Sequence, residues 1–86
     1  MFDKVKAALR VTSNVFDGEI SGLIDACLSD LRLVGVHKAT HSKAVGPLIE
    51  RAIILYAKAN FGYLPDSEKY QKAYDYLKCR LSLAGD

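Results

Sequence analysis

The stretch GPLIERAIILYAKANFG, residues 46–62, constrains the chain more than any other. Pro47 has a fixed φ and no N–H, which suits the first turn of a helix, and Gly62 can take the left-handed conformation that ends one. Placed at about 100° intervals, Leu48, Ile49, Ala52, Ile53, Leu55, Tyr56 and Ala59 share one broad apolar arc, while Glu50, Arg51 and Lys58 share a narrow polar stripe. So wide an arc belongs to a middle helix touched by neighbours on several sides. Ile54 is the exception, because it falls inside the polar stripe between Glu50 and Lys58. A lone exposed Ile is ordinary, and Ile54 is also the first candidate for a contact with another chain.

Three further segments read as helices. Residues 2–10 carry Phe2, Val5 and Leu9 at helical spacing, but a helix this short does not persist alone in water and must dock on the others. VTSN then interrupts the pattern with β-branched and cap-forming residues. From about 15 to 33, Phe16, Ile20, Leu23, Ile24, Cys27, Leu28 and Leu31 fall on one face, and Glu19, Ser21, Asp25, Ser29, Asp30 and Arg32 fill the other. Asp17 and Glu19 suit the positive end of that helix dipole and Arg32 the negative end. Gly18 and Gly22 lie on the polar side and cost roughly 1 kcal/mol each relative to Ala. Gly22 is either a tolerated surface glycine or a place where another backbone approaches closely. After YLPD, where Leu64 is pushed out of helical space by Pro65 and Asp66 or Ser67 can cap, a last helix runs from about 67 to 83. Tyr70, Ala73, Tyr74, Leu77 and Leu81 make its core stripe, and Tyr76, Cys79 and Leu83 make a second stripe elsewhere on its circumference. Two apolar stripes mean two contact surfaces. The expected fold is all-α, a single domain over 1–86 with three main helices plus a short N-terminal one.

With 86 residues, the domain buries only about 60% of its unfolded surface, so self-association is one of the usual reinforcements. Half the residues are hydrophobic and a quarter are charged, a globular rather than a disordered composition. The net charge of +2 is spread out and leaves no strong nucleic-acid footprint. No apolar run approaches a membrane span of roughly 18 residues, and the charged N-terminus MFDKVKAALR is unlike a signal peptide, so a soluble intracellular chain is expected. In that setting Cys27 and Cys79 read as two free thiols, with Cys27 a small core hydrophobe.

Residues 34–46, LVGVHKATHSKAVG from Leu33 onward, have no sustained period and read as a long exposed loop, the main candidate for contact with something outside the fold. His37, Lys38, His41 and Lys43 make it mildly basic. His37 and His41 have helical metal-ligand spacing but lie in the loop without a following Glu, so two solvated histidines are the plainer reading. No nucleophile elbow, no carboxylate pair in an apolar setting and no phosphate-cradling glycine loop is present. Neither a catalytic residue nor a cofactor is expected. No helix carries an Arg, Asn and Gln face for reading bases, although a small DNA-binding or regulatory helical protein stays open as the alternative.

The order of segments resembles the head–tail connector (adaptor) proteins of tailed bacteriophages, a family also described as phage DNA-packaging proteins. KVKAALRVT at 4–12, FDGEISGLIDAC at 16–27, PLIERAIILYAKANFG at 47–62 and YDYLKCRLSLAG at 74–85 carry the likeness. Gly18 stands where members more often have an acidic residue. The resemblance implies a structural virion or prophage protein of the head–tail junction, assembled in the host cytoplasm. It implies a ring of about a dozen copies below the portal protein, closed by a heterologous interface. Such a ring leaves a channel for DNA, passed without sequence specificity, and a platform for a stopper or tail-completion protein. On that reading Ile54, Tyr76, Cys79 and Leu83 are the subunit-interface candidates, and His37, Lys38, His41 and Lys43 are the loop contacts toward the channel or a neighbouring ring.

Overall fold

The computed structural model describes residues 1–40, 46–61 and 65–84. Four α-helices follow one another: α1 (Phe2–Ala8), α2 (Asp17–Leu33), α3 (Pro47–Asn60) and α4 (Ser67–Ala84). A single 3₁₀ turn, Asn14–Phe16, leads into α2 with the Ser13 hydroxyl accepting from the Val15 N–H. Among the described residues there is no strand, so the all-α expectation holds.

α3 is the middle helix. Pro47 stands in its first turn behind an extended Gly46, and its Ile49, Ala52, Ile53, Leu55 and Ala57 are buried. α2 packs on one side of it through Ile20, Ile24, Cys27, Leu28 and Leu31, and α4 on another through Tyr74 and Leu81. α1 lies across α2 and α3, with Val5 and Leu9 buried. Ion pairs from the middle of α1 reach both neighbours: Lys4 meets Glu50 of α3 at 3.4 Å and Lys6 meets Asp17 of α2 at 2.8 Å.

The contacts fix the helix directions. Tyr74 and Lys78 of α4 meet Asp30 of α2, and further along both helices Ser82 bonds the Val34 carbonyl. α2 and α4 therefore run the same way, with α3 antiparallel between them.

Two helix ends are closed by the same device. After α2, the Gly35 N–H bonds the Arg32 carbonyl and the Val36 N–H bonds the Leu31 carbonyl, with Gly35 at φ 92°. This is the paired C-terminal motif that needs a left-handed residue, and it brings the following apolar residue back onto the helix. Val36 is accordingly fully buried with Leu31. α1 closes alike, with Arg10 N–H on Ala7 and Val11 N–H on Lys6, but Arg10 takes the left-handed position at φ 59°.

Several sequence expectations need correction. The segment after α2 is not open throughout, because Val36 and Ala39 are buried. Leu48 is 60% exposed rather than core, because among the described residues the first turn of α3 is open on that side. Ala73 is exposed as well. Phe16 is exposed at one edge and meets Phe61 edge-on at 5.5 Å. Gly62, expected to end α3, and Leu64 lie outside the described residues.

Candidate functional site

Ile54, offered by the sequence as an exposed oddity, is half-buried and packs against the core cluster. Its polar stripe is partly covered, with Arg51 left exposed. Lys4 of α1 holds Glu50 at one end, and Lys58 sits over the Tyr70 ring of α4 at the other, 5.3 Å from its centroid. Ile54 lies between these two contacts.

The second stripe of α4 behaves differently. Tyr76 is 67% and Leu83 83% exposed, and Cys79 is an exposed free thiol. All three lie on the face of α4 turned away from Tyr74 and Leu81. Arg80 stands over the Tyr76 ring, 5.8 Å from its centroid. Leu33, at the end of α2, is 85% exposed. Tyr76, Leu83 and Leu33 are thus large apolar side chains that the subunit's own core does not cover.

His37 and Lys38 are exposed. His41 and Lys43 lie outside the described residues, so the loop is known only in its first part. Among the described residues no three His, Cys, Asp or Glu side chains are grouped to hold a metal ion, and no helix is long and apolar enough to cross a membrane.

The inner side of α4 holds a polar cluster that sequence reasoning missed. The Tyr74 hydroxyl donates to Asp30 Oδ2 at 2.6 Å, and the Lys78 ammonium donates to the same oxygen at 3.2 Å. The Cys27 thiol lies 3.8 Å from the Tyr74 hydroxyl and 4.0 Å from the Ala52 carbonyl. An open groove of about 580 Å³ between α2 and α4 borders this cluster, with Tyr56, Asn60 and Gln71 along it. Burial pushes the Cys27 thiol up to about 12, partly offset by its hydrogen bond to Tyr74. Burial and the hydrogen bond to Asp30 likewise hold the Tyr74 hydroxyl well above the ordinary tyrosine range. Both groups keep their protons near neutral pH, so neither serves there as a nucleophile or a base. The cluster ties α4 to α2. The only sequence signal for it was a carboxylate, Asp30, at the edge of the polar face.

With its polar groups engaged in holding helices together and its apolar surplus turned outward, the molecule has the layout of an assembly component. A family model described as phage connector protein matches residues 1–86. The chain belongs to the phage connector protein family. No curated protein and no solved structure matches it. As a phage connector the protein is a structural component that associates with other head and tail proteins. The family is structural rather than enzymatic.

Proposed function

We propose that this connector is a head–tail adaptor at the head–tail junction of the virion. About a dozen copies close into a ring beneath the portal protein, leaving a channel through which DNA passes without sequence specificity. The far side of the ring offers the platform for a stopper or tail-completion protein. The observation that carries this reading is the outward face of α4, where Tyr76, Cys79 and Leu83 are exposed while Tyr74 and Leu81 complete the core. A subunit in a ring needs two different surfaces, one for each neighbour, beyond what its own core uses. His37 and Lys38 stand on the exposed loop, with His41 and Lys43 following in sequence, and this mildly basic segment faces the channel or an adjoining ring.

The test is a phage or prophage lacking the gene, complemented with parent or variant chain. Loss of the protein leaves DNA-filled heads without tails, and the parent chain restores a ring density at the junction seen by electron microscopy. Tailed particles formed at parent yield without the protein would contradict the adaptor role. Tight, steeply salt-dependent binding of the isolated chain to duplex DNA would favour a DNA-binding role in its place.

A further inference from the structure

We infer that the outer face of α4 seats on the outer face of α2 of a second copy, in parallel register, with Tyr76 over Ala26 and Leu83 against Leu33. The inference deepens the ring reading and rests on it.

The two faces have the same spacing. On α4, Lys69, Lys72, Tyr76, Cys79 and Leu83 are separated by three, four, three and four residues, and all are exposed. On α2, Glu19, Gly22, Ala26, Ser29 and Leu33 repeat that spacing, and all are exposed as well. An alternation of three and four is the 3.5-residue repeat that lets two helices mesh along a seam. Each seam runs about 21 Å. The α4 seam lies on the far side from Tyr74 and Leu81, whereas on α2 Ala26, Ser29 and Leu33 border the groove that Tyr74 and Lys78 also line.

Their chemistry is complementary. The α4 face is large and basic: the Tyr76 ring and Leu83, with Lys69, Lys72 and Arg80 around them. Glu68 and Asp75 stand at its edge, the latter engaged by Gln71 at 2.9 Å. The α2 face is small, with Gly22, Ala26 and Ser29 following Glu19, while Asp25 stands at its edge toward α1, beside Met1 and Phe2. Arg32, its one flanking cation among the described residues, is turned onto Ser29 at 3.4 Å. In the matched register Lys69 stands by Glu19, and the Lys72 stem crosses Gly22.

Gly22, open like Gly18 in the same helix, is compatible with such a seam. A Cβ built there meets nothing within 4 Å, so the isolated subunit has no need of glycine at that point. In a helix interior it costs about 1 kcal/mol relative to Ala. A helix from another copy lying across this position uses the space that the missing side chain leaves.

Direction is consistent too. α2 and α4 run the same way within a subunit, and rotation about an axis along the bundle preserves helix direction. With the ring axis along the bundle, the neighbour's α4 meets α2 in parallel, a direction in which the two seams run in the same phase. Because the two faces differ, each contact leaves one of each kind free, and the chain of contacts ends only when the ring closes.

Ser29→Cys tests this on connectors assembled on DNA-filled heads, because it places a thiol opposite Cys79 of the next copy. Mild oxidation is expected to give a ladder of dimers, trimers and higher species on a non-reducing gel, and adding Cys79→Ser is expected to abolish it. Glu19→Lys should lower incorporation into heads at least tenfold, and Lys69→Glu in the same chain should restore it. Two outcomes overturn the seam while leaving the ring standing. One is a junction that holds multiple copies but yields only monomer on oxidation. The other is a parent chain that cross-links through Cys79 to dimers and no further. A junction holding a single copy overturns the ring reading and the seam with it.

Discussion

Tyr74 and Tyr76 stand two residues apart on α4 and meet opposite surroundings. Tyr74 is 1% exposed, packs edge-on to Tyr56 at 5.1 Å and gives its hydroxyl proton to the Asp30 carboxylate. Tyr76 is open to solvent and touches only the side chain of Arg80 among the ring contacts described. The difference is one of helix geometry, since a step of two residues turns the side chain by about 200°, to the opposite side. It teaches that α4 is bifunctional: its inner face completes the fold and its outer face is spare. Substitutions on the two faces should therefore separate folding from assembly.

The largest effect is expected from Tyr74→Ala, which empties a core site and leaves Asp30 with the Lys78 ammonium alone of its two donors. Loss of about 3–5 kcal/mol of unfolding free energy is expected, read from urea denaturation. A loss under about 1 kcal/mol would erase the contrast between the faces.

Alkaline pH attacks the inner face. Cys27 and Tyr74 both ionise later in the folded chain than at their ordinary values of 9.0 and 10.0. Below about 9 both states hold these protons and stability is unaffected. Above it the unfolded chain releases protons that the folded chain keeps, so stability falls as pH rises, by at most about 1.4 kcal/mol per pH unit for each group. Urea midpoints between pH 8 and 11 should show the fall beginning near 9, and Tyr74→Phe should make it shallower above 10. A pH-independent midpoint would mean that the cluster is open to solvent.

Gly22→Ala sharpens the comparison from the other side. It adds a methyl group to open space on the outer face of α2, and the isolated subunit should gain about 0.5–1 kcal/mol. A destabilised subunit would place that face in the core. Smallest of all, Tyr76→Ala should move the unfolding free energy by no more than about 0.5 kcal/mol.

Much of this fold was legible in the chain. Pro47, the alternation of apolar and polar residues over 15–33 and the Tyr70, Tyr74, Leu77 and Leu81 spacing placed the three main helices, because periodicity is a local property. The second stripe of α4 was legible for the same reason, as residues left over once the core stripe was assigned. What escaped was tertiary. The covering of Ile54 depends on α1 and α4 closing over one stripe of α3, and a helical wheel has no neighbours in it. The Tyr74, Asp30 and Lys78 cluster joins residues more than forty positions apart, so no spacing announces it. The burial of Val36 follows from a left-handed Gly35 folding the chain back onto Leu31, where the sequence offered only a glycine in an aperiodic stretch.

Incorporation of Tyr76→Glu chain into finished particles tests the division of α4 most directly. Quantitative mass spectrometry of purified heads gives copies per head, alongside the urea midpoint of the same isolated chain. An unchanged midpoint with incorporation lowered at least tenfold is the predicted result. Parent-level incorporation of a fully folded variant would contradict it, because the outer face of α4 would then be surface and nothing more.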